Sequence, residues 1–222
     1  MSKLLNVSAS PHVRSKETTQ SIMADVCIAM LPAAAFGVFQ FGFHALLVLI
    51  VTVAACVLSE YVFQKMMKLP LTVSDMSAVV TGMILALNMP ANIPLWIPVL
   101  GGVFAIIVVK QLYGGIGQNF MNPALAGRCF LLISFAGKMS DFAMDGWSGA
   151  TPLAQLKSGE AVDVMAMFIG KIPGTIGEVS VVALLIGGIY LAVKKVISLR
   201  IPVTYILTVA VFAFIFGKQD MN

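Results

Sequence analysis

Residues 44–66, HALLVLIVTVAACVLSEYVFQKM, carry only Glu60 and Lys65 as charged side chains. Roughly 20 such residues in a helix cross the ~30 Å hydrocarbon layer of a bilayer. The run lacks the strict apolar–polar alternation of a barrel strand and is too long for one, so a membrane helix is expected. The rest of the chain follows the same pattern. Six further apolar spans are expected, at Ile22–Gln40, Ser77–Met89, Pro94–Leu112, Asn122–Ala136, Ile176–Val196 and Ile201–Phe216. Overall 59% of the residues are hydrophobic and 11% charged, against about 45–50% and about 25% in soluble domains. The mean hydropathy is +0.96. The chain therefore reads as an all-α integral membrane protein of one multi-span helical domain, residues 22–222, preceded by a polar segment at 1–21.

The third and fifth spans are short. Short spans flanked by Gly or Pro suit broken or half-crossing helices that line a site; clipped boundaries are the plainer reading. Basic residues set the expected orientation. Lys3, Arg14 and Lys16 precede the first span, Lys65 and Lys68 follow the second, Lys110 ends the fourth, and Lys194, Lys195 and Arg200 divide the sixth from the seventh. All fall on one side, expected to be the cytoplasm of a bacterial or archaeal cell whose inner or plasma membrane holds the chain. The N-terminal segment is then cytoplasmic, the loop at about 137–175 extracytoplasmic, and the C-terminus outside. The net charge of +4 needs no nucleic acid to explain it. No secretory signal precedes the first span.

The long loop holds the residues with most chemical promise. In Asp145-Gly146-Trp147-Ser148-Gly149-Ala150-Thr151, small residues leave the backbone open, and Asp145 and Ser148 add an acid and a hydroxyl. Pro152 biases Thr151 toward an extended conformation. Trp147 suits either stacking on a planar ring or a place in an interfacial aromatic belt. On these residues alone the run is equally a turn before an amphipathic stretch at Leu153–Phe168.

Elsewhere, Arg128 lies inside the fifth span, where a charge is costly. It suits a phosphate or another anionic group, or else it snorkels or bonds Asn122 or helix-end carbonyls. Asp25 and Glu60 are either ion-relay carboxylates or surface ion pairs, Glu60 beside Gln64 and Lys65. Thr175 and Glu178 have the spacing of a capping box opening the sixth span. Cys27, Cys56 and Cys129 have no paired spacing, and His12 and His44 share no face, so no metal is expected. Tyr113-Gly114-Gly115-Ile116-Gly117 lacks the Lys-Ser/Thr of a nucleotide loop and is expected to be a tight turn.

The loop run, read as D-x-x-S-G-A-T, resembles the motif on which a flavin transferase attaches FMN to threonine through a phosphoester. Other stretches resemble the same family in its order: Ser10-Pro11-His12, Ser74-Asp75-Met76-Ser77-Ala78-Val79-Val80-Thr81-Gly82, Lys110-Gln111-Leu112-Tyr113-Gly114-Gly115, Asn119-Phe120-Met121-Asn122-Pro123-Ala124, Pro173-Gly174-Thr175-Ile176-Gly177-Glu178 and Gly187-Gly188-Ile189-Tyr190-Leu191. The family is the NqrB/RnfD family, the membrane subunit shared by Rnf electron-transport complexes (RnfD) and the sodium-pumping NADH:quinone reductase (NqrB); the short N-terminus is more similar to the former. The resemblance implies a urea-transporter-like fold of about ten helices in two inverted repeats, of which about seven are expected here. It implies FMN on Thr151, with Asp145, Ser148, Gly149 and Ala150 recognised by the flavin transferase, and a noncovalent riboflavin at residues that do not carry over. It also implies partners: the other membrane subunits of an Rnf complex and a flavin-bearing extracytoplasmic subunit, all within membrane lipid. The activity implied is electron relay between ferredoxin and NAD+ coupled to Na+ or H+ movement. The alternative is a flavin-free channel or transporter on the same architecture.

Overall fold

A computed structural model describes residues 17–142, Gln155 and 164–216. Helix α1 (Thr19–Phe41) opens on a reciprocal cap, in which Thr18 Oγ1 accepts from Ser21 N–H and Thr18 N–H donates to Ser21 Oγ. Such a pair satisfies two of the open amides of a helix start. Gly42, at φ +78°, turns the chain directly into α2 (Phe43–Met66). With 23 and 24 residues, these helices reach about 35 Å at 1.5 Å per residue, enough to cross a bilayer.

A 3₁₀ turn at Val73–Asp75 leads into α3 (Ser77–Leu87), which has only 11 residues. It covers about 16 Å, half a crossing. After an irregular stretch comes α4 (Trp96–Val103), which widens into a π-helical segment, Phe104–Lys110, and tightens into a 3₁₀ turn at Gln111–Tyr113. Together these span Trp96–Tyr113 as one apolar crossing. Gly114, Gly115 and Gly117 follow with positive φ, the tight turn expected there. Helix α5 (Pro123–Ser134) starts where Asn122 Oδ1 accepts from Ala124 N–H and Leu125 N–H, with Pro123 at the first position, an arrangement preorganised for helix initiation.

Two short helices, α6 (Ala136–Met139) and α7 (Val164–Ile169), fall within the stretch expected to be the long loop. Helix α8 (Val181–Val193) is capped by Ser180, whose Oγ accepts from Ala183 N–H. Helix α9 (Arg200–Phe216) has no buried residue. All seven expected spans are thus apolar helices among the described residues: three long enough to cross a membrane and four shorter.

Packing uses small residues. Helix α2 lies against α3 and α4, and α1 against α8. A Cβ at Gly187 would run into the Ala29 carbonyl oxygen, so the α1–α8 approach requires glycine there. In lipid, close backbone approach of this kind replaces the hydrophobic drive that water supplies to soluble proteins. The core joins Val48 of α2 and Leu85 of α3 to Ile97 of α4, Leu131 of α5, and Met89 and Ile176 of the irregular segments. Large apolar side chains instead face outward on α8 and α9, such as Ile189 and Phe214. A bilayer, not water, suits that surface.

Candidate functional site

A dense polar cluster is buried where α2, α3 and the π-helical segment meet. Glu60 is 0% and Lys110 2% exposed. Lys110 Nζ donates to Glu60 Oε1 at 2.8 Å, to Oε2 at 2.9 Å and to Ser77 Oγ at 2.6 Å. Gln111 Nε2 donates to Glu60 Oε1 at 2.7 Å. Gln64 Nε2 and Thr72 Oγ1 approach the same oxygen at 3.3 and 3.4 Å, and Gln64 also ties down Thr72 through its side-chain oxygen and nitrogen. Ser77 Oγ–H in turn donates to Asp75 Oδ1.

The consecutive residues Lys110 and Gln111 both turn toward Glu60 where the π-helical segment gives way to a 3₁₀ turn. π-Helical turns occur mostly as short insertions and often at functional sites. This arrangement corrects two expectations. Glu60 is not in a surface pair with Lys65; its partner is Lys110, 50 positions away. Lys110 is not a solvent-facing anchor at the end of its span. Nothing in the local pattern signals the pairing, although Ser77, Lys110 and Gln111 all lie in the stretches that carry the family resemblance.

The second polar locus lies at the end of α3. There the chain leaves the helix, and the segment at 87–90 pairs antiparallel with the segment at 175–177. Gly177 N–H donates to Leu87 O at 2.8 Å, and Ile176 N–H to Met89 O at 3.0 Å, while Pro90 and Thr175 form an isolated bridge. Such backbone is tolerated at membrane depth only where it is buried in protein or lines a cavity. Here it is buried: Met89 and Ile176 are both 0% exposed. A Cβ at Gly37 would meet the Ile176 carbonyl oxygen, so α1 packs directly on the crossing.

This pairing corrects the start of the sixth span. Glu178 Oε1 does accept from Thr175 N–H at 3.2 Å, but the helix starts at Val181 under the cap of Ser180. Long-range pairing has claimed the amides of Ile176 and Gly177, and among the described residues Thr175 Oγ1 is left buried without a partner.

Arg128 reaches this locus from α5. One of its terminal nitrogens donates to Asn88 Oδ1 at 2.7 Å, and Asn88 caps the C-terminus of α3. A cation there is favoured by the helix dipole. Asn122, one of the alternative partners considered from sequence, is occupied capping α5. Arg128 Nε is buried without a partner among the described residues. Asp25 takes the ion-pair alternative: Tyr190 O–H donates to Asp25 Oδ1 at 2.7 Å, and Lys194 Nζ stands 3.5 Å from the same oxygen. Just beyond the end of α8, the Lys194 ammonium is held above the usual lysine range by the Asp25 carboxylate. Asp145, Ser148, Gly149, Ala150 and Thr151 lie outside the described residues, as does His12. No group of three or more His, Cys, Asp or Glu side chains suited to a metal occurs among the described residues.

Half-crossing helices that end in buried irregular backbone, with the Glu60–Lys110 pair buried between helices, define a polytopic membrane protein built around interior polar sites. The chain belongs to the NQR2, RnfD, RnfE family, whose model matches residues 6–222. It is 51% identical to the D subunit of the Na(+)-translocating ferredoxin:NAD(+) oxidoreductase complex of Acetobacterium woodii, over 98% of this chain and 71% of that protein. It is 40% identical to the D subunit of the proton-translocating ferredoxin:NAD(+) oxidoreductase complex of Clostridium ljungdahlii, over 96% of this chain and 70% of that one. The B subunit of the Na(+)-translocating NADH-quinone reductase of Neisseria meningitidis is 46% identical over a shorter stretch, 55% of this chain and 33% of its own length.

Proposed function

We propose that this chain is a membrane subunit of an ion-translocating ferredoxin:NAD+ oxidoreductase complex and carries FMN as a phosphoester on Thr151. The observation that carries the reading is the joint one: 51% identity to such a subunit over 98% of the chain, with Asp145, Ser148, Gly149, Ala150 and Thr151 filling every specified position of the flavin-attachment motif. When bound, the flavin supplies the electron transfer; the chain supplies an attachment oxygen and a membrane scaffold. Thr151 offers a primary-sequence context of small residues through which a transferase reaches its hydroxyl. Asp145 and Ser148 serve as polar recognition points.

Among the described residues, one buried donor suits an anionic flavin group: Arg128 Nε, which has no partner. A guanidinium fixed at this point favours the reduced, negatively charged form of any flavin near it. A noncovalent riboflavin and a flavin-bearing outer subunit complete the assembly on this reading, with the loop at about 137–175 on the extracytoplasmic side. Attachment itself requires the flavin transferase.

Replacing the attachment oxygen tests the reading. Thr151→Ala, expressed with the transferase, is expected to retain membrane insertion and lose all in-gel flavin fluorescence from this subunit. A band that stays fluorescent, or a wild-type intact mass equal to that of the amino acids alone, overturns the FMN assignment and returns the chain to the class of flavin-free channels and transporters. Arg128→Gln is expected to lower the flavin midpoint potential; an unchanged redox titration removes Arg128 from the flavin's surroundings.

A further inference from the structure

We propose that Arg128 is an electrostatic barrier that keeps free monovalent cations out of the backbone crossing at the end of α3. Its guanidinium is a tethered cation, held where a half-crossing helix would otherwise draw one from solution. This role requires only that the chain spans a membrane; it does not require a flavin.

Depth comes first. Helix α2 completes a full crossing at Met66, and α3 re-enters from the same side at Ser77 with only 11 residues, about 16 Å. Its C-terminus therefore lies near the middle of a ~30 Å hydrocarbon layer. Half-helix C-termini at that depth, with unwound backbone beside them, are where transporters coordinate cations. In this protein the last carbonyls of α3, the ones no helical amide reaches, are already taken. Ile84 O accepts from Asn88 Nδ2 at 2.8 Å and Leu85 O from Asn88 N–H at 3.2 Å. Ala86 O accepts from Met89 N–H at 3.1 Å and Leu87 O from Gly177 N–H at 2.8 Å. What remains to attract a cation is the negative end of the helix dipole, and Arg128 stands there.

The amide of Asn88 does two things at once. Its nitrogen closes the helix end on Ile84 O, and its oxygen accepts from Arg128 Nη1 at 2.7 Å, so the cation is fastened to the helix terminus. A neutral amide fixes a guanidinium without cancelling its charge. Arg128 forms no ion pair among the described residues. Glu178, at the edge of the crossing, is exposed and accepts from Thr175 N–H. A guanidinium stays charged at any ordinary pH. A fixed arginine of this kind is what excludes protons and cations from other membrane passages. With the charge removed, the crossing would offer a cation the oxygen of Asn88, freed of its donor, and the buried Thr175 hydroxyl, which has no partner among the described residues. If Arg128 were only a dipole cap, its loss would cost stability and change no permeability.

The test is passive ion uptake by liposomes that hold the intact complex, with no redox substrate present and a membrane potential imposed. Na+ and chloride are followed separately. Arg128→Met keeps a long side chain and deletes the charge. Its Na+ uptake is expected to exceed that of the wild type by roughly tenfold or more, since nearby like charges in a protein interior repel by more than a tenfold rate requires. Chloride uptake is expected to stay at the wild-type level. Arg128→Lys, which keeps the cation, is expected to be as tight to Na+ as the wild type. An Arg128→Met complex as tight as the wild type overturns the proposal. So does a Na+ leak that lysine fails to suppress, which would mark a plug of shape, or one that chloride shares, which would mark a general hole. Should Arg128→Met fail to assemble, Asn88→Asp decides: it keeps the shape of the amide and sets a carboxylate against the guanidinium. Raised Na+ uptake in that variant upholds the barrier, and unchanged uptake overturns it. No flavin or electron flow enters these measurements, so a tight Arg128→Met complex leaves the FMN assignment standing, and a failed FMN assignment leaves the barrier standing.

Discussion

The two buried polar loci of this protein are organised in opposite ways. Around Glu60, every charged atom is matched: a carboxylate meets an ammonium bidentately, and the hydroxyl and amide groups of Ser77, Gln111, Gln64 and Thr72 close the network. At the α3 terminus, by contrast, a guanidinium leans on a neutral amide, and both Arg128 Nε and Thr175 Oγ1 are buried without partners among the described residues. The first locus is closed in itself. The second has spare hydrogen-bonding capacity within a crossing of irregular backbone. The difference teaches that burial of a charge and openness to a ligand are separate properties. A satisfied ion pair makes the fold specific, whereas unsatisfied donors mark where something else fits.

The largest expected effect follows from breaking the closed locus. Lys110→Met strands the Glu60 carboxylate, and removing one partner of a buried pair typically costs about 3–5 kcal/mol. The thermal transition of the purified subunit is expected to fall sharply. Glu60→Gln combined with Lys110→Met is expected to recover most of that loss, because no charge remains to be paired and the introduced amide still accepts from Gln111. A Lys110→Met protein as stable as the wild type would show that the pair is solvated and that the two loci do not differ in this way.

A smaller effect is expected at the second locus. Asn88→Ala removes at once a cap of α3 and the acceptor that engages Arg128 among the described residues. Losing a hydrogen bond to a charged group costs about 1.5–3 kcal/mol. The guanidinium lies at the C-terminal end of the α3 dipole, which retains part of the stabilisation. The loss should therefore fall clearly below that of Lys110→Met in the same melting assay; an equal loss would mean that Arg128 is as fully committed as Lys110.

Much of this architecture is legible in the sequence, and the illegible part has one cause. The seven spans follow from apolar length alone, and even the shortness of α3 and α5 is visible in their flanking Pro, Gly and Asn residues. Interfacial pairing of Asp25 is visible from its depth. What periodicity does not report is contact between distant segments. The start of α8 shifts from Ile176 to Val181 because Ile176 and Gly177 spend their amides on Met89 and Leu87. Lys110 resembles any interfacial lysine until the π-helical stretch turns it inward onto Glu60. Arg128 is recognisable as an intramembrane charge, but its partner lies 40 residues away. The run Asp145–Thr151 is the reverse case: it lies outside the described residues, and its reading rests on resemblance to a flavin-attachment motif, without reference to any tertiary contact.

Thr175→Val is the finest test of the contrast. The substitution keeps the shape of the side chain and deletes a hydroxyl that has no partner among the described residues. Thr175 is 1% exposed, so that hydroxyl has given up water without a bond in return. Deleting a buried unsatisfied group should leave stability unchanged or raise it by up to about 1 kcal/mol. Its backbone pairing with Pro90 and its amide bond to Glu178 are untouched. The expected result is a melting temperature equal to or slightly above that of the wild type. A clear loss of stability would mean that the hydroxyl is satisfied by a bound polar group, and the crossing would then count as an occupied site, not as one with unused capacity.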